Sequence, residues 1–578
     1  MELQEIKLWR WLFGGLTAAL VVFAVTSETV VADTMFHLMR VECLAEHLAA
    51  GGGYPCRLYA AACNGYGYAA PLFYCDFFLL PFALLRALGA SLYVCHVLLL
   101  LTLPVLVGTL MWRMSGWFGL KGERRLLCTG IYLFAPSLLL SLYNFEQVGG
   151  VFAAAFLPCV VFPALVLLTE SEISRERLVS ACRWLCLGIV GIVLSHLISS
   201  VIVALFLLVM GVLRLPFLLW HRGRIIALGV VATIALGLTA WFWIPLLEQY
   251  SAHLLCFDMG PKSAFAENAM RLPGLFLPWK VCLDLLAPRW GEYWAVPGET
   301  FSLWGWILLP AIVALIHRAK SFSLPLWAWF ASGICGILLP FFSLRPLLAL
   351  MEPFFGWMQF PSRFFPLWTC LMAPLLACLI CSCQRKWIRF TFGAGLLLAA
   401  LCTFTYPVAK RVDTYLFGHK HIQQVSYQIG YGEYLPTRWV QARAQRGIDP
   451  YSGFYFQLPP VSRDNSADGS LTVALTKPTS HVSLPRFYYK GYAATLDGAP
   501  CPIRESEEGC VTAVTANRMG TLHVWYAGTP AQRIATWVSV GSFVGLLLLM
   551  VGCRIGIGRL LVAGNPARPL RKRIIRKA

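Results

Sequence analysis

Charged side chains are scarce in this sequence. Only 13% of its 578 residues are charged and 58% are hydrophobic, whereas about a quarter of the residues are charged in soluble domains. The apolar runs 151–168 and 225–247 contain no charged residue and are long enough to cross a hydrocarbon core roughly 30 Å thick. A soluble core helix would not be apolar on every face for so long. The chain is therefore predicted to be an integral membrane protein.

Several catalytic and nucleotide-binding motifs are missing as well. The sequence has no GxSxG nucleophile motif, no HExxH zinc motif, no Walker loop and no glycine-rich nucleotide fingerprint. These motifs hold nucleotide phosphates, zinc or an activated serine. Their absence argues against ATP-driven transport and against chemistry on cytosolic nucleotide sugars.

Cysteine is present but does not form a metal-binding pattern. The 20 cysteines lie mostly inside apolar runs, where the side chain behaves as a small hydrophobe, and no CxxC pair has a matching partner. Two pairs, Cys56 with Cys63 and Cys501 with Cys510, could form disulfides in an oxidising compartment. The sequence leaves both possibilities open.

Basic residues are numerous and fall in short clusters between apolar runs. The formal net charge is +19, and the tail 568–577 is strongly basic. Such clusters mark the cytoplasmic side of membrane helices and contact anionic lipid heads. We therefore expect a multi-pass plasma-membrane protein, and not one that binds nucleic acid. If the stretch 71–88 lies along or re-enters the outer interface and does not span the membrane, six successive basic clusters all fall on the cytoplasmic side.

The lengths of the apolar runs predict about twelve transmembrane helices. The first, after Lys7 and Arg10, is predicted to be a retained anchor because no clear cleavage site follows it. The predicted spans are residues 9–27, 91–112, 126–143, 150–168, 184–199, 200–220, 225–247, 301–317, 323–343, 364–381, 390–409 and 534–553.

Two of the segments that this topology places outside the membrane are of special interest. The first outer loop covers 28–90. The second, 410–533, has alternating runs at 470–475 and 521–526 and a turn signal at Asp497-Gly498, which predict a small antiparallel β-rich domain. The predicted organisation is an all-α polytopic membrane module over 1–409, an extracytoplasmic β-rich domain over 410–533, and a final helix with a basic tail over 534–578.

Asp33, near the start of the first outer loop, is the leading candidate for a catalytic residue. Apolar residues from Leu38 to Leu48 recur at helical spacing, which predicts a short amphipathic helix on the membrane surface. Asp33 could simply cap this helix, although Thr34 could serve equally. Alternatively, its carboxylate faces a cavity at the outer leaflet and accepts a proton from an acceptor hydroxyl.

Two arginines and a histidine are candidate phosphate ligands. Arg57 and Arg363 each lie next to apolar or aromatic residues at an outer boundary, where a guanidinium group suits phosphate. Boundary arginines also commonly reach toward lipid heads without further function. His196, at the outer end of a span, could bind phosphate or hydrogen-bond to a neighbouring helix.

Aromatic residues in the outer segments are candidates for sugar binding, since their faces suit the C–H surface of a sugar ring. The alternative is an aromatic belt at the membrane interface, which is common. Glu248 follows an aromatic cluster and could contact the acceptor or only mark the water boundary. The candidates for sugar or acceptor binding are Tyr66, Tyr68, Tyr74 and Glu248.

Several short motifs carry a resemblance to a known family over nearly the whole chain. They are Asp33 with Asn64-Gly65-Tyr66-Gly67-Tyr68-Ala69-Ala70-Pro71-Leu72-Phe73-Tyr74, then Ala240-Trp241-Phe242-Trp243-Ile244-Pro245, Gln359-Phe360-Pro361-Ser362-Arg363-Phe364, Gly432-Glu433-Tyr434-Leu435-Pro436, Leu484-Pro485-Arg486-Phe487-Tyr488-Tyr489-Lys490-Gly491-Tyr492 and Gly528-Thr529-Pro530. The chain resembles GT-C type glycosyltransferases, and more narrowly the bacterial polytopic membrane proteins named for 6-pyruvoyl-tetrahydropterin synthase and their YfhO-like relatives, which glycosylate lipoteichoic acid. It departs from them at Ser362 and Tyr492, where tryptophan is usual, and it has no soluble pterin synthase domain.

The resemblance implies an enzyme that takes a sugar from a polyprenyl-phosphate carrier and transfers it to a cell-envelope glycan or polymer, with Asp33 as catalytic base. The expected reaction is inverting and needs neither metal nor cofactor, because arginine and histidine can neutralise a single leaving phosphate. Two alternatives come from other classes. A lipid-linked glycan transporter or flippase would need polar groups near the membrane midplane, and a non-catalytic assembly protein would use the β-rich domain alone.

Overall fold

The architecture comes from a computed structural model of the whole chain. The structure describes residues 2–25, 33–143, 145–252, 265–266, 268–269, 276, 304–318, 325–358, 360–417, 432–447 and 469–555. The basic tail, most of the predicted loop 248–300 and parts of 410–470 lie outside these residues.

Helices make up most of the described chain. They are α1 Glu2–Val25, α2 Thr34–Ala49, α3 Ala70–Phe73, α4 Leu80–Ala87, α5 Leu92–Phe118, α6 Gly122–Leu133, α7 Pro136–Tyr143, α8 Val148–Thr169, α9 Arg175–Val193, α10 Leu197–Leu213, α11 Leu215–Trp220, α12 Arg222–Ala252, α13 Trp304–Arg318, α14 Leu326–Ser343, α15 Arg345–Phe355, α16 Phe365–Ser382, α17 Lys386–Phe417, α18 Thr437–Gln445 and α19 Pro530–Ile555. The predicted domain boundary at 409/410 falls inside α17, and the one at 533/534 falls in the first turn of α19.

The lengths and apolar compositions of these helices suit a membrane-spanning protein. Among the described residues, six helices are long and apolar enough to cross a membrane, or seven if α6 and α7, bent by 45°, count as one. Each of the twelve predicted spans overlaps a helix, and several of those helices are short apolar ones of 10–17 residues. A multi-pass, mainly helical membrane protein with a small β-rich domain is therefore confirmed.

The stretch 71–88 is not one helix. It is divided between α3, a 3₁₀ turn at Phe77–Leu79 and α4. The continuous apolar helix at Phe77–Ala87 has fewer than 18 residues, and at 1.5 Å per residue it is too short to cross the hydrocarbon core. This agrees with the expectation that the stretch lies along or re-enters the interface.

Helix α8 lies at the centre of the bundle. The 18 most apolar residues of this helix are all buried inside the protein, and α8 packs against both α5 and α9. Its Pro158 and Pro163 are therefore surrounded by protein, where neighbouring helices can satisfy freed backbone groups. By contrast, α19 buries little of its surface and packs along α12.

The predicted β-rich domain is a five-stranded antiparallel sheet. The strands are β1 Leu471–Phe487, β2 Tyr492–Leu496, β3 Ala499–Cys501, β4 Ile503–Glu505 and β5 Cys510–Tyr526. Their order is β1-β5-β2-β3, with β4 also paired to β5. Asp497-Gly498 forms the turn between β2 and β3 with both residues at positive φ, as a tight hairpin turn requires.

The first outer loop packs against this sheet. The Phe487 amide donates to the Tyr66 carbonyl oxygen at 2.9 Å, and Tyr59 pairs with Tyr68 as an isolated β-bridge. The loop therefore has a fixed shape supported by the β-rich domain. The four cysteines for which disulfides were considered, Cys56, Cys63, Cys501 and Cys510, are all unpaired thiols in the structure.

Candidate functional site

Asp33 immediately precedes α2 but does not cap it. Its carboxylate accepts no hydrogen bond from the first amides of the helix. Its backbone amide donates instead to the Phe145 carbonyl oxygen at 3.0 Å, which ties the start of α2 to the turn between α7 and α8. The capping interpretation is therefore not supported, and the carboxylate is available for other contacts.

The environment of Asp33 alters its acidity. The side chain is half-buried, and the pKa of Asp33 is raised from 3.8 to about 7, first by burial and then by the negative charges of Glu433 and Glu146, while Arg363 opposes the shift. A carboxyl with a pKa near neutrality can both accept and release a proton at physiological pH, as a general base must.

Arg363 is the cation whose charge acts on Asp33. It lies in the 3₁₀ turn Pro361–Phe364 that leads into α16, and its guanidinium carbon is 5.5 Å from the centroid of the Phe360 ring. The proline and the aromatic neighbours fix this turn. Arg363 interacts electrostatically with Asp33 and Tyr74 and with His196. The structure thus brings three predicted site residues, Asp33, Tyr74 and His196, within electrostatic range of a fourth, Arg363.

His196 is fixed by the helix that it precedes. It caps α10, where Nδ1 accepts from the Ser199 amide at 3.4 Å and lies 2.8 Å from the Ser199 hydroxyl. With Nδ1 used as an acceptor, a neutral ring carries its proton on Nε2. Its ring centroid is 6.0 Å from that of Tyr74. His196 can therefore offer a hydrogen-bond donor beside Arg363.

Tyr74 is held by a buried arginine that the sequence did not single out. Arg40 is 1% exposed, and its guanidinium carbon lies 4.2 Å from the centroid of the Tyr74 ring. It donates to the carbonyl oxygens of Tyr74 at 3.0 Å and Cys75 at 2.7 Å, with Asp76 as a nearby counter-charge. Arg40 thereby joins α2, which is mostly buried and not a helix on the surface as predicted, to the segment that carries Tyr74.

Glu433 and Glu146 were also missed by sequence reasoning. Glu433 was quoted within the Gly432 to Pro436 motif without a role. Glu146 is an isolated acid between apolar helices, which is a signal for function in a membrane protein. It is buried, and its Oε2 lies 3.0 Å from His96 Nε2 in α5.

Aromatic contacts hold the segment that carries Glu433. The Tyr434 ring stacks on Phe73 at 5.3 Å, the Tyr434 amide donates to the Tyr68 hydroxyl at 3.3 Å, and Tyr489 donates to the Tyr434 carbonyl oxygen at 2.9 Å. We call the set Asp33, Tyr74, His196, Arg363 and Glu433 the Asp33 cluster. It draws on the first outer loop, two helix starts and the segment preceding the β-rich domain.

Four predicted site residues do not join the Asp33 cluster. Tyr68 is fully buried and Tyr66 is 9% exposed, with the Tyr66 ring packed against Phe487 at 5.3 Å, so neither ring offers a face to a sugar. Glu248 accepts from the Thr529 hydroxyl at 2.6 Å and pairs with Lys490 at 3.2 Å, which links α12 to the β-rich domain.

Arg57 is the fourth of these residues. It donates to the Trp241 carbonyl oxygen at 2.8 Å and approaches the Thr536 hydroxyl at 3.5 Å. These contacts place Arg57 between α12 and α19, whereas Arg363 interacts electrostatically with Asp33. The two arginines that the sequence suggested as partners thus have different surroundings.

We compared the fold of this chain with those of solved protein structures. The chain is similar to several solved structures, among them the following two. ArnT from Cupriavidus metallidurans, solved with undecaprenyl phosphate bound, matches with 11% identity and a TM-score of 0.46 over 88% of this chain and 98% of its own. The arabinofuranosyltransferase AftD from Mycobacteria matches with 13% identity and a TM-score of 0.42 over 90% of this chain and 40% of its own.

Sequence comparisons give no further relatives. No family model matches the chain, and no curated protein matches it.

Proposed function

We propose that the protein is an inverting membrane glycosyltransferase that moves a sugar from a polyprenyl-phosphate donor to a hydroxyl of a cell-envelope glycan or polymer. The observation that supports the proposal is the electrostatic interaction of Asp33, whose pKa is raised to about 7, with Arg363, which precedes the apolar start of α16. A base and a cation so arranged are what a displacement at a phosphate-linked sugar needs.

In the proposed reaction, Asp33 takes the proton of the acceptor hydroxyl as its oxygen attacks the anomeric carbon. The bond between that carbon and the phosphate oxygen breaks, and the electron pair leaves with the polyprenyl phosphate. Arg363 neutralises the charge that develops on the phosphate, and it can bind two oxygens at once. A single displacement inverts the configuration at the anomeric carbon.

The other members of the Asp33 cluster support these steps. His196 donates from Nε2 to a phosphate oxygen, Tyr74 borders the donor sugar, and Glu433 holds the pKa of Asp33 high enough for proton transfer near neutral pH. The lipid tail lies between the membrane helices. The site and the β-rich domain face the outside of the cell in this proposal, where the envelope acceptor is found.

Transfer from a labelled undecaprenyl-phosphate sugar tests the proposal. We expect Asp33→Asn to lower transfer by roughly 10²–10⁴-fold, the usual contribution of a general base, because asparagine has the same shape but cannot accept the proton. Arg363→Gln should lower it comparably. The matched control is Asp497→Asn, since this exposed turn residue accepts from the Thr521 amide at 2.8 Å and asparagine keeps that bond.

Full transfer by Asp33→Asn, with normal membrane expression, would remove Asp33 from the mechanism. Transport of intact lipid-linked glycan by both the native protein and this variant would favour the flippase alternative.

A further inference from the structure

A cleft lies at the junction of the first outer loop, the end of β5 and the start of α19. Its volume is about 470 Å³, within the range of pockets that hold small ligands. The residues that matter for its chemistry are His47, Arg57, Tyr526, Gln532, Arg533 and Trp537, and we call them the Arg57 cleft. None of them belongs to the Asp33 cluster.

The cleft is positively charged. Within the described residues, neither Arg57 nor Arg533 forms an ion pair with a carboxylate, and no acid lines the cleft. Burial lowers the pKa of the Arg57 guanidinium from its ordinary value, and the opposing effects of groups such as Tyr526 and Asp76 are smaller. Two arginines in one cleft are suited to a phosphate group.

The side-chain carbonyl of Gln532 is a buried hydrogen-bond acceptor at the cleft. Gln532 is 3% exposed, and its Oε1 has no hydrogen-bond partner in the part of the chain that the structure describes. The orientation of the amide is fixed, because Tyr526 donates its only hydroxyl proton to the Lys490 carbonyl oxygen at 3.1 Å and so accepts from Gln532 Nε2 at 3.0 Å. An unpaired buried carbonyl is costly, and a ligand hydroxyl would satisfy it.

The surroundings of the cleft suit a lipid. The helix α19 that contributes Gln532 and Arg533 is a candidate membrane span, and its first turns expose Ile534 by 63% and Trp537 by 73%. An exposed tryptophan at a helix start is typical of the membrane interface. Acyl chains can lie along this face while a headgroup reaches the arginines.

We propose that the Arg57 cleft binds the headgroup of an anionic phospholipid that has a phosphodiester and a free hydroxyl. The phosphodiester oxygens bind Arg57 and Arg533, and the hydroxyl donates to Gln532 Oε1. The bound lipid joins the first outer loop to the β-rich domain and α19. The site is separate from the proposed transferase site and does not depend on it.

The test is lipid retention by the purified full-length protein, measured by native mass spectrometry during titration. Phosphatidylglycerol is the probe, with phosphatidic acid, which lacks the headgroup hydroxyl, phosphatidylcholine and inorganic phosphate as comparisons. We expect phosphatidylglycerol to bind about tenfold more tightly than phosphatidylcholine, because the choline headgroup has no hydroxyl for Gln532 Oε1 and carries a positive charge beside the two arginines. Arg533→Gln should weaken phosphatidylglycerol binding about tenfold.

Two further variants sharpen the test. The native protein should bind phosphatidylglycerol more tightly than phosphatidic acid, because only the former offers an alcohol hydroxyl to Gln532 Oε1. Gln532→Leu should remove this preference, since only the hydroxyl contact is lost. Arg504→Gln, at an exposed arginine of β4 outside the cleft, is the matched control and should bind as the native protein does. Equal binding of phosphatidylglycerol and phosphatidylcholine, an unchanged Arg533→Gln variant, or displacement of the lipid by millimolar inorganic phosphate would each overturn the proposal.

Discussion

At the scale of single residues, the surroundings of Asp33 suit the role of a base near neutral pH that we propose for it. Desolvation disfavours its ionised form, and the charge of Glu433 adds to this effect, while Arg363 keeps the ionised form accessible. The sequence could identify Asp33 and Arg363 because each stands beside apolar or aromatic residues. It could not separate Arg363 from Arg57, which has the same kind of neighbours, because only the packing of distant segments decides which residues surround each one.

The pH dependence of transfer follows from the pKa of the Asp33 carboxyl. Because Asp33 must be deprotonated to act as a base, we expect kcat/KM to rise with pH and to level off above about 7, the pKa of the Asp33 carboxyl. Glu433→Gln removes a negative charge that raises this pKa, so the rising limb should move to lower pH. Measured pH–rate profiles for the native protein, Glu433→Gln and Glu172→Gln, an exposed control, check this. If the rise of kcat/KM with pH occurred at the same pH in Glu433→Gln as in the native protein, Glu433 would not influence the pKa of Asp33.

At the scale of elements, the site depends on how closely α8 approaches the first outer loop. Gly149, in the first turn of α8, leaves no room for a side chain: a Cβ there would overlap the Tyr74 hydroxyl and lie 2.8 Å from the Ser195 carbonyl oxygen. Sequence periodicity found α8 as an apolar run. It could not show this contact, because glycines are common in membrane helices and their neighbours come from distant segments.

Adjacent glycines in α8 provide a matched pair of variants. Gly149→Ala should displace Tyr74 and the start of α10, and we expect a loss of transfer of about 10²-fold, as for other small misplacements of reacting groups. At Gly150 the nearest atom to an added Cβ is 3.8 Å away, so Gly150→Ala should keep activity and stabilise the helix by roughly 0.5–1 kcal/mol. Transfer assays and thermal unfolding of both variants distinguish the effects. Equal activity in the two would show that this close approach does not position the site.

At the scale of the whole molecule, the lengths of the apolar runs predicted the helical architecture well, because the hydrocarbon thickness acts on every segment alike. The alternating segments likewise predicted the β-rich domain. The orientation that the basic clusters indicate stays a prediction. The packing contacts inside the molecule could not be predicted in the same way. The burial of α8 inside the bundle and the contacts of Tyr66 and Tyr68 with the β-rich domain depend on the arrangement of all the helices together.

The orientation of the molecule can be measured directly. An epitope inserted at the exposed Asp497-Gly498 turn should bind antibody on intact cells with the outer membrane or wall opened, because the β-rich domain is predicted to be extracytoplasmic. An epitope at Lys121-Gly122, between α5 and α6, should bind only after the plasma membrane is permeabilised. The reverse pattern would place the Asp33 cluster on the cytoplasmic side and would contradict the proposed acceptor class.

The bond between the Tyr434 amide and the Tyr68 hydroxyl joins residues that are 366 positions apart, and it has a consequence for biogenesis. While the ribosome is still making the middle helices, the early loop has emerged but its supporting partners do not yet exist. Contacts of such long range form late and slowly. A nascent or prematurely terminated chain would therefore occupy the membrane without a finished reaction centre, so catalytic competence would begin only near the completion of synthesis.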